Sequence, residues 1–75
     1  MVSIKLENFE DVNKLVNFCH KYSCDIDVSC GRYVVDGKSA MGVSSLVGNE
    51  VNIIIHSVTT EEKIEFEEQI LKKLL

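Results

Sequence analysis

The chain contains no proline and no tryptophan, and it has no long apolar run. The longest such runs, Tyr33-Val34-Val35 and Ile53-Ile54-Ile55, fall far short of the roughly 20 residues that a membrane-spanning helix needs. The start, Met1-Val2-Ser3-Ile4-Lys5-Leu6, lacks the apolar stretch of a secretory signal, so a cytoplasmic protein without membrane insertion is expected. Basic charge is scarce too. Eight Lys and Arg stand against twelve Asp and Glu, a net charge of −4, and the eight are scattered along the chain. Capture of a phosphate backbone requires a basic stripe, so nucleic acid is not an expected partner. Seventy-five residues make one domain, 1–75, whose site must lie at the surface, because a domain of this size buries only about 60% of the surface its unfolded chain exposes.

Three cysteines would leave one thiol over in a disulfide framework, so free thiols are expected. Cys24 and Cys30 share the phase of Ile26 and Val28, which makes them small buried hydrophobes on a strand; Cys19 follows Leu15 and Val16 at helical spacing. The competing reading is a thiol or metal-binding protein with zinc held by Cys19, His20, Cys24 and Cys30. Inward-pointing Cys24 and Cys30 argue against it, so no metal and no cofactor is expected.

Seven short elements follow one another without a linker or repeat, in the order strand, helix, strand, strand, helix, strand, helix. Residues 2–6 alternate Val2, Ile4, Leu6 with Ser3, Lys5, the period of a strand with one face buried. Asn8 can cap a helix with Asp11 three positions on, and Phe9, Val12, Leu15, Val16, Cys19 and Tyr22 recur every three or four residues. Residues 23–30 alternate polar and apolar without exception, so one face of that strand must be wet. Gly31-Arg32 reads as a hairpin turn into Tyr33-Val34-Val35. Ser39 is placed to cap a short helix through Val47, weakened by Gly42 and Ser44-Ser45. The last strand is expected over residues 51–58. Thr59 with Glu62 then forms a capping box for the C-terminal helix, whose Ile64, Phe66, Ile70, Leu71 and Leu74 are expected to face the sheet.

Helices that all need cover, and strands polar on their other side, describe an α+β open-faced β-sandwich: a four-stranded antiparallel sheet with three helices on one face. A ferredoxin-like sheet competes, although its second crossover helix needs more than the two turns available here.

The segment Gly37-Lys38-Ser39-Ala40-Met41-Gly42-Val43-Ser44-Ser45-Leu46 resembles the entry to the short second helix of HPr, the histidine-containing phosphocarrier of the bacterial sugar phosphotransferase system. Only Ala40 and Ser44 depart from the family's run there. Leu15-Val16 and Tyr22-Ser23-Cys24-Asp25-Ile26 look like the family's Leu-Val and Phe-x-Ser-Asp-Ile at the same distance upstream. The resemblance covers nearly the whole chain and implies the HPr fold. It breaks where the family carries Gly-Leu-His-Ala-Arg-Pro: counting back without a gap puts Asn8 at the phosphorylated histidine, Glu10 at the arginine and Asp11 at the proline. An amide nitrogen lacks the basicity of an imidazole, so Asn8 cannot carry a phosphoryl group. Glu7, Glu10 and Asp11 invert the charge that a phosphate site requires.

Two histidines are possible substitutes. His20, near the end of the first helix, and His56, at the end of the last strand, both read as surface residues without an orienting partner close in sequence. Ser39 occupies the position of the serine that HPr kinase modifies in many members of the family, and a phosphoserine at a helix N-cap meets free N–H groups. The same position serves equally as a simple cap. Met41, Val43 and Val47 fall where the resemblance implies an apolar patch that docks partners, although Met41 also suits half-buried filler.

The expectation is an HPr-like protein, not an enzyme, that no longer relays phosphate through histidine and acts as a regulatory or protein-binding module, with Ser39 as a phosphorylation site. Its partners would be phosphotransferase-system enzymes, a kinase or a regulator. The alternative is an active phosphocarrier that uses His20 or His56.

Overall fold

The computed structural model describes residues 1–74. Strand β1 (Val2–Lys5) buries Val2 and Ile4 while Ser3 and Lys5 stay exposed, as alternation requires. Helix α1 spans Phe9–Cys19 and buries Val12, Leu15, Val16, Phe18 and Cys19. Strands β2 (Ile26–Cys30) and β3 (Tyr33–Asp36) form a hairpin about Gly31 at φ +60°, where the missing Cβ permits the left-handed turn. Helix α2 (Ala40–Ser44) is barely longer than a turn, strand β4 covers Glu50–Ile55 and helix α3 covers Thr60–Leu74.

The four strands lie in the order β1-β4-β2-β3, with each neighbouring pair antiparallel. Strands β1 and β2 therefore run in the same direction on either side of β4, and β3 and β4 do so on either side of β2. Two β-α-β units interlock, each holding a strand of the other in its gap. The helices cover the face carrying Ile4, Ile26, Val28, Val51 and Ile53. Each of these side chains contributes about 1.5–3 kcal/mol by leaving water. On the open face Ser3 donates to its cross-strand partner Asn52 at 2.5 Å. This is the open-faced sandwich that the patterning implies. A second helix of five residues does not fit the ferredoxin-like alternative.

Several element limits and faces differ from the sequence expectation. β2 begins at Ile26 rather than residue 23, which leaves Cys24 off the strand; Cys24 and Cys30 are half-buried and only Cys19 is fully buried. α2 stops at Ser44, with turns carrying the chain through Val47, consistent with its Gly and Ser content. β4 stops at Ile55, and Ser57 at φ +61° turns the chain away. In α1 the exposed residue is Phe9 and the buried one is Phe18, so the apolar stripe is rotated toward the later position. In α3 only Phe66 and Ile70 are buried; Ile64 and Leu71 are exposed, because one short sheet covers only one stripe of a helix.

Candidate functional site

Leu6 is fully buried just beyond β1, and its backbone ties the entry of α1 to the segment after α2. Its N–H donates to Asn49 O at 3.0 Å, and Gly48 N–H donates back to Leu6 O at 2.6 Å. Gly48 adopts φ +95°, which a side chain would resist. The start of α1 is thereby held beside the exit of the α2 segment.

At that start Asn8 is extended, and its Oδ1 accepts from Asp11 N at 3.0 Å. Asp11 reciprocates one residue earlier than a standard capping box, accepting from Glu7 N at 2.9 Å through Oδ2. Glu7, Asn8 and Glu10 are exposed. The turn thus presents an amide and three carboxylates, with the N–H groups of Glu7 and Asp11 engaged. Such a surface is unfavourable for a dianion and carries no imidazole at Asn8.

Ser39 caps α2, its Oγ accepting from Gly42 N at 3.2 Å while its own N–H donates to Asp36 O at 3.0 Å. Asp36 Oδ1 accepts from Lys38 N at 2.9 Å and so fixes the turn that aims Ser39. The approach is close because of Gly37. A Cβ there would stand 3.1 Å from Ile26 O and 3.2 Å from Cys19 Sγ, so only glycine lets the α2 entry rest on β2. A Cβ at Gly42 would meet Val35 Cβ at 3.2 Å.

The three apolar candidates separate. Met41 is 87% exposed, Val47 is half-buried and Val43 is completely buried. Val43 therefore belongs to the core beneath α2 and has no surface to offer a partner. Phe9, 64% exposed in the first turn of α1, adds an apolar group that periodicity assigned to the interior.

His20 caps the end of α1 with its side chain exposed, three turns from Asn8. His56 follows β4, and its backbone N–H donates to Asp25 O at 2.9 Å. Its Nε2 lies 2.8 Å from Asp27 Oδ2. Asp27 pairs with Ile54 across β2 and β4, so His56, two residues on, emerges on the same open face. His56 has no orienting partner close in sequence, as expected, and sheet register supplies one from 29 residues away. Cys19 has its thiol pushed up to about 12 by burial, an effect that nearby Lys38 partly opposes. A thiol so far from ionising is a poor metal ligand. Among the described residues no group of His, Cys, Asp and Glu is arranged to hold a metal ion. No described helix is long and apolar enough to cross a membrane.

No protein-family model matches the chain, and no curated protein matches it by sequence. Solved structures do. HPr-C-His from Thermoanaerobacter tengcongensis superimposes with a TM-score of 0.70 at 27% identity, over 97% of this chain and 92% of that one. The chain has the HPr-like fold. The Bacillus subtilis catabolite repression containing protein Crh, described as a domain-swapped dimer, gives 0.67 at 21% identity over 96% and 87% of the two chains. Phosphocarrier protein HPr of Bacillus anthracis strain Ames gives 0.62 at 21% identity over 84% of each. The HPr-like architecture found here is thus shared with a phosphocarrier protein and with a catabolite-repression protein.

Proposed function

We propose that this HPr-like chain is a cytoplasmic regulatory or protein-binding module of the phosphotransferase system that does not relay phosphate through histidine. The observation that carries the reading is Asn8. Its amide caps α1 through Asp11 N, at the place where the resemblance puts the phosphorylated imidazole, with Glu7, Glu10 and Asp11 around it. The α2 entry keeps most of the resemblance: Ser39 caps the helix and Met41 stands out into solvent. Phosphorylation of Ser39 would add a dianion beside Lys38 and the Gly42 N–H, and so switch the docking of a protein partner around Met41 and Val47. The protein acts by binding rather than by catalysis.

Incubation with phosphoenolpyruvate and the general phosphotransferase enzyme is expected to leave the protein unlabelled. Acid-labile phosphate on the intact protein would overturn the reading. For Ser39, a kinase assay with Ser39→Ala as control is expected to label only the parent chain; equal labelling of both removes the regulatory role.

One observation favours a second reading, an atypical carrier. Asp27 Oδ2 at 2.8 Å from His56 Nε2 supplies the orienting carboxylate that a phosphoryl-accepting imidazole uses, leaving Nδ1 as the acceptor. Loss of label in His56→Ala but not in His20→Ala would establish it.

A further inference from the structure

Spacings of three, four and seven place Lys14, Asn17, Phe18 and Lys21 along one side of α1 and the turn that follows. With Lys73 and Leu74 from the last turn of α3 they line a solvent-open groove of about 300 Å³ between the two helices. Phe18 is buried against Tyr22 and Phe66, which makes a fixed apolar wall. Lys21 Nζ lies 5.9 Å from the centre of the Phe18 ring. Three of the eight cationic side chains of a chain with net charge −4 therefore line one groove, and among the described residues none that lines it is acidic. Lys14 Nζ reaches Glu10 Oε1 at 3.7 Å, but both are exposed, and such an i,i+4 pair is weak in water. Lys73 complements the dipole of α3. Lys14, in the middle of α1, has no such reason to be there.

We propose that the α1–α3 groove binds a small phosphate monoester with an apolar body. The phosphoryl group sits among the ammonium groups of Lys14, Lys21 and Lys73, with the Asn17 amide donating to it, and the carbon body rests on Phe18 and Leu74. Phosphate is preferred to carboxylate because a monoester carries about −1.5 to −2 charge near pH 7 and three acceptor oxygens, one for each ammonium. The volume lies at the small end of the roughly 300–1,000 Å³ range of small-molecule sites, which suits a ligand of fragment size. The site is separate from Asn8 and Ser39, and its existence does not depend on whether either is phosphorylated.

Titration of the isotopically labelled protein with phenyl phosphate, followed through backbone amide shifts, tests this. Saturable shifts at residues 14, 17, 18, 21, 73 and 74 are expected. Inorganic phosphate, the head alone, and benzyl alcohol, the body alone, should each bind at least about tenfold more weakly. Lys14→Glu or Lys73→Glu should lower affinity by about tenfold or more. Lys63→Glu, the same charge change in the first turn of α3, should leave it unaltered. Lowering the pH from about 7 to about 5 should weaken binding as the dianionic ester takes up a proton and becomes the monoanion. Absence of saturable shifts at these residues would overturn the proposal. So would equal affinity for either half-ligand, or an equal loss in Lys63→Glu and Lys73→Glu.

Discussion

Phe18 of α1 and Phe66 of α3 meet with ring centroids 5.5 Å apart and planes tilted by 41°. Tyr22 closes the group, standing edge-on to Phe66 at 5.1 Å. This contact joins the two long helices above the sheet, in the offset geometry that aromatic quadrupoles favour.

The contact separates two phenylalanines of the same helix. Phe18→Ala is expected to cost about 3–5 kcal/mol by emptying a packed site, whereas Phe9→Ala at the exposed helix start should stay within about 0.5 kcal/mol of the parent. Urea denaturation of the two variants checks this, and comparable losses would contradict the assignment of Phe9 to solvent.

Asn8 is the next case. Replacing it with alanine removes the acceptor for Asp11 N and should lower stability by about 0.5–2 kcal/mol. Asn8→Asp should keep the cap and most of the stability. Thermal melts of the two variants distinguish a capping role from mere exposure.

Gly37→Ala tests the close approach of the α2 entry to β2. The added methyl would meet the fixed backbone oxygen of Ile26 at 3.1 Å, so a loss of about 1–3 kcal/mol is expected. A neutral result would show that the α2 entry can lift from the sheet without penalty.

The Cys19 thiol yields a pH prediction. Unfolded, it ionises near 9.0; folded, burial pushes this up to about 12. Between those values the unfolded chain has released a proton that the folded chain still holds, so stability falls as pH rises through that window and is fully present below it. At neutral to mildly basic pH a thiol reagent should modify Cys24 and Cys30 in the native protein and reach Cys19 only on unfolding. Three equal rates would contradict the burial of Cys19.

Local chemistry was readable from the residues themselves. Asn8 and Ser39 announce their caps because the acceptor and its N–H lie three positions apart. Thr59 and Glu62 likewise bond reciprocally, Glu62 N to Thr59 Oγ1 and Thr59 N to Glu62 Oε1, both at 3.2 Å. Helix faces were less legible. Phe9 and Phe18 both fit a helical stripe with Leu15, and Ile64 and Leu71 fit one with Phe66 and Ile70, so the choice rests on how much of each helix the sheet can cover. Val43 shows the same limit at α2, where the short helix turns it under and Met41 out. The His56–Asp27 pair was not legible at all. It depends on β4 entering the sheet beside β2, a relation across 29 residues that no local spacing encodes.

The interlocked strand order bears on how the chain reaches its fold. Among the described residues β1 finds its only neighbour in β4, with Val2 opposite Ile53 and Lys5 opposite Glu50. A nascent chain that ends before residue 50 therefore has a first strand with nothing to pair to. Only the β2–β3 hairpin closes locally, and an isolated hairpin is marginal in water. The sheet must wait for its penultimate element, so β1 cannot be paired until β4 has been made, and loop-closure entropy across some fifty residues weighs on the folding rate.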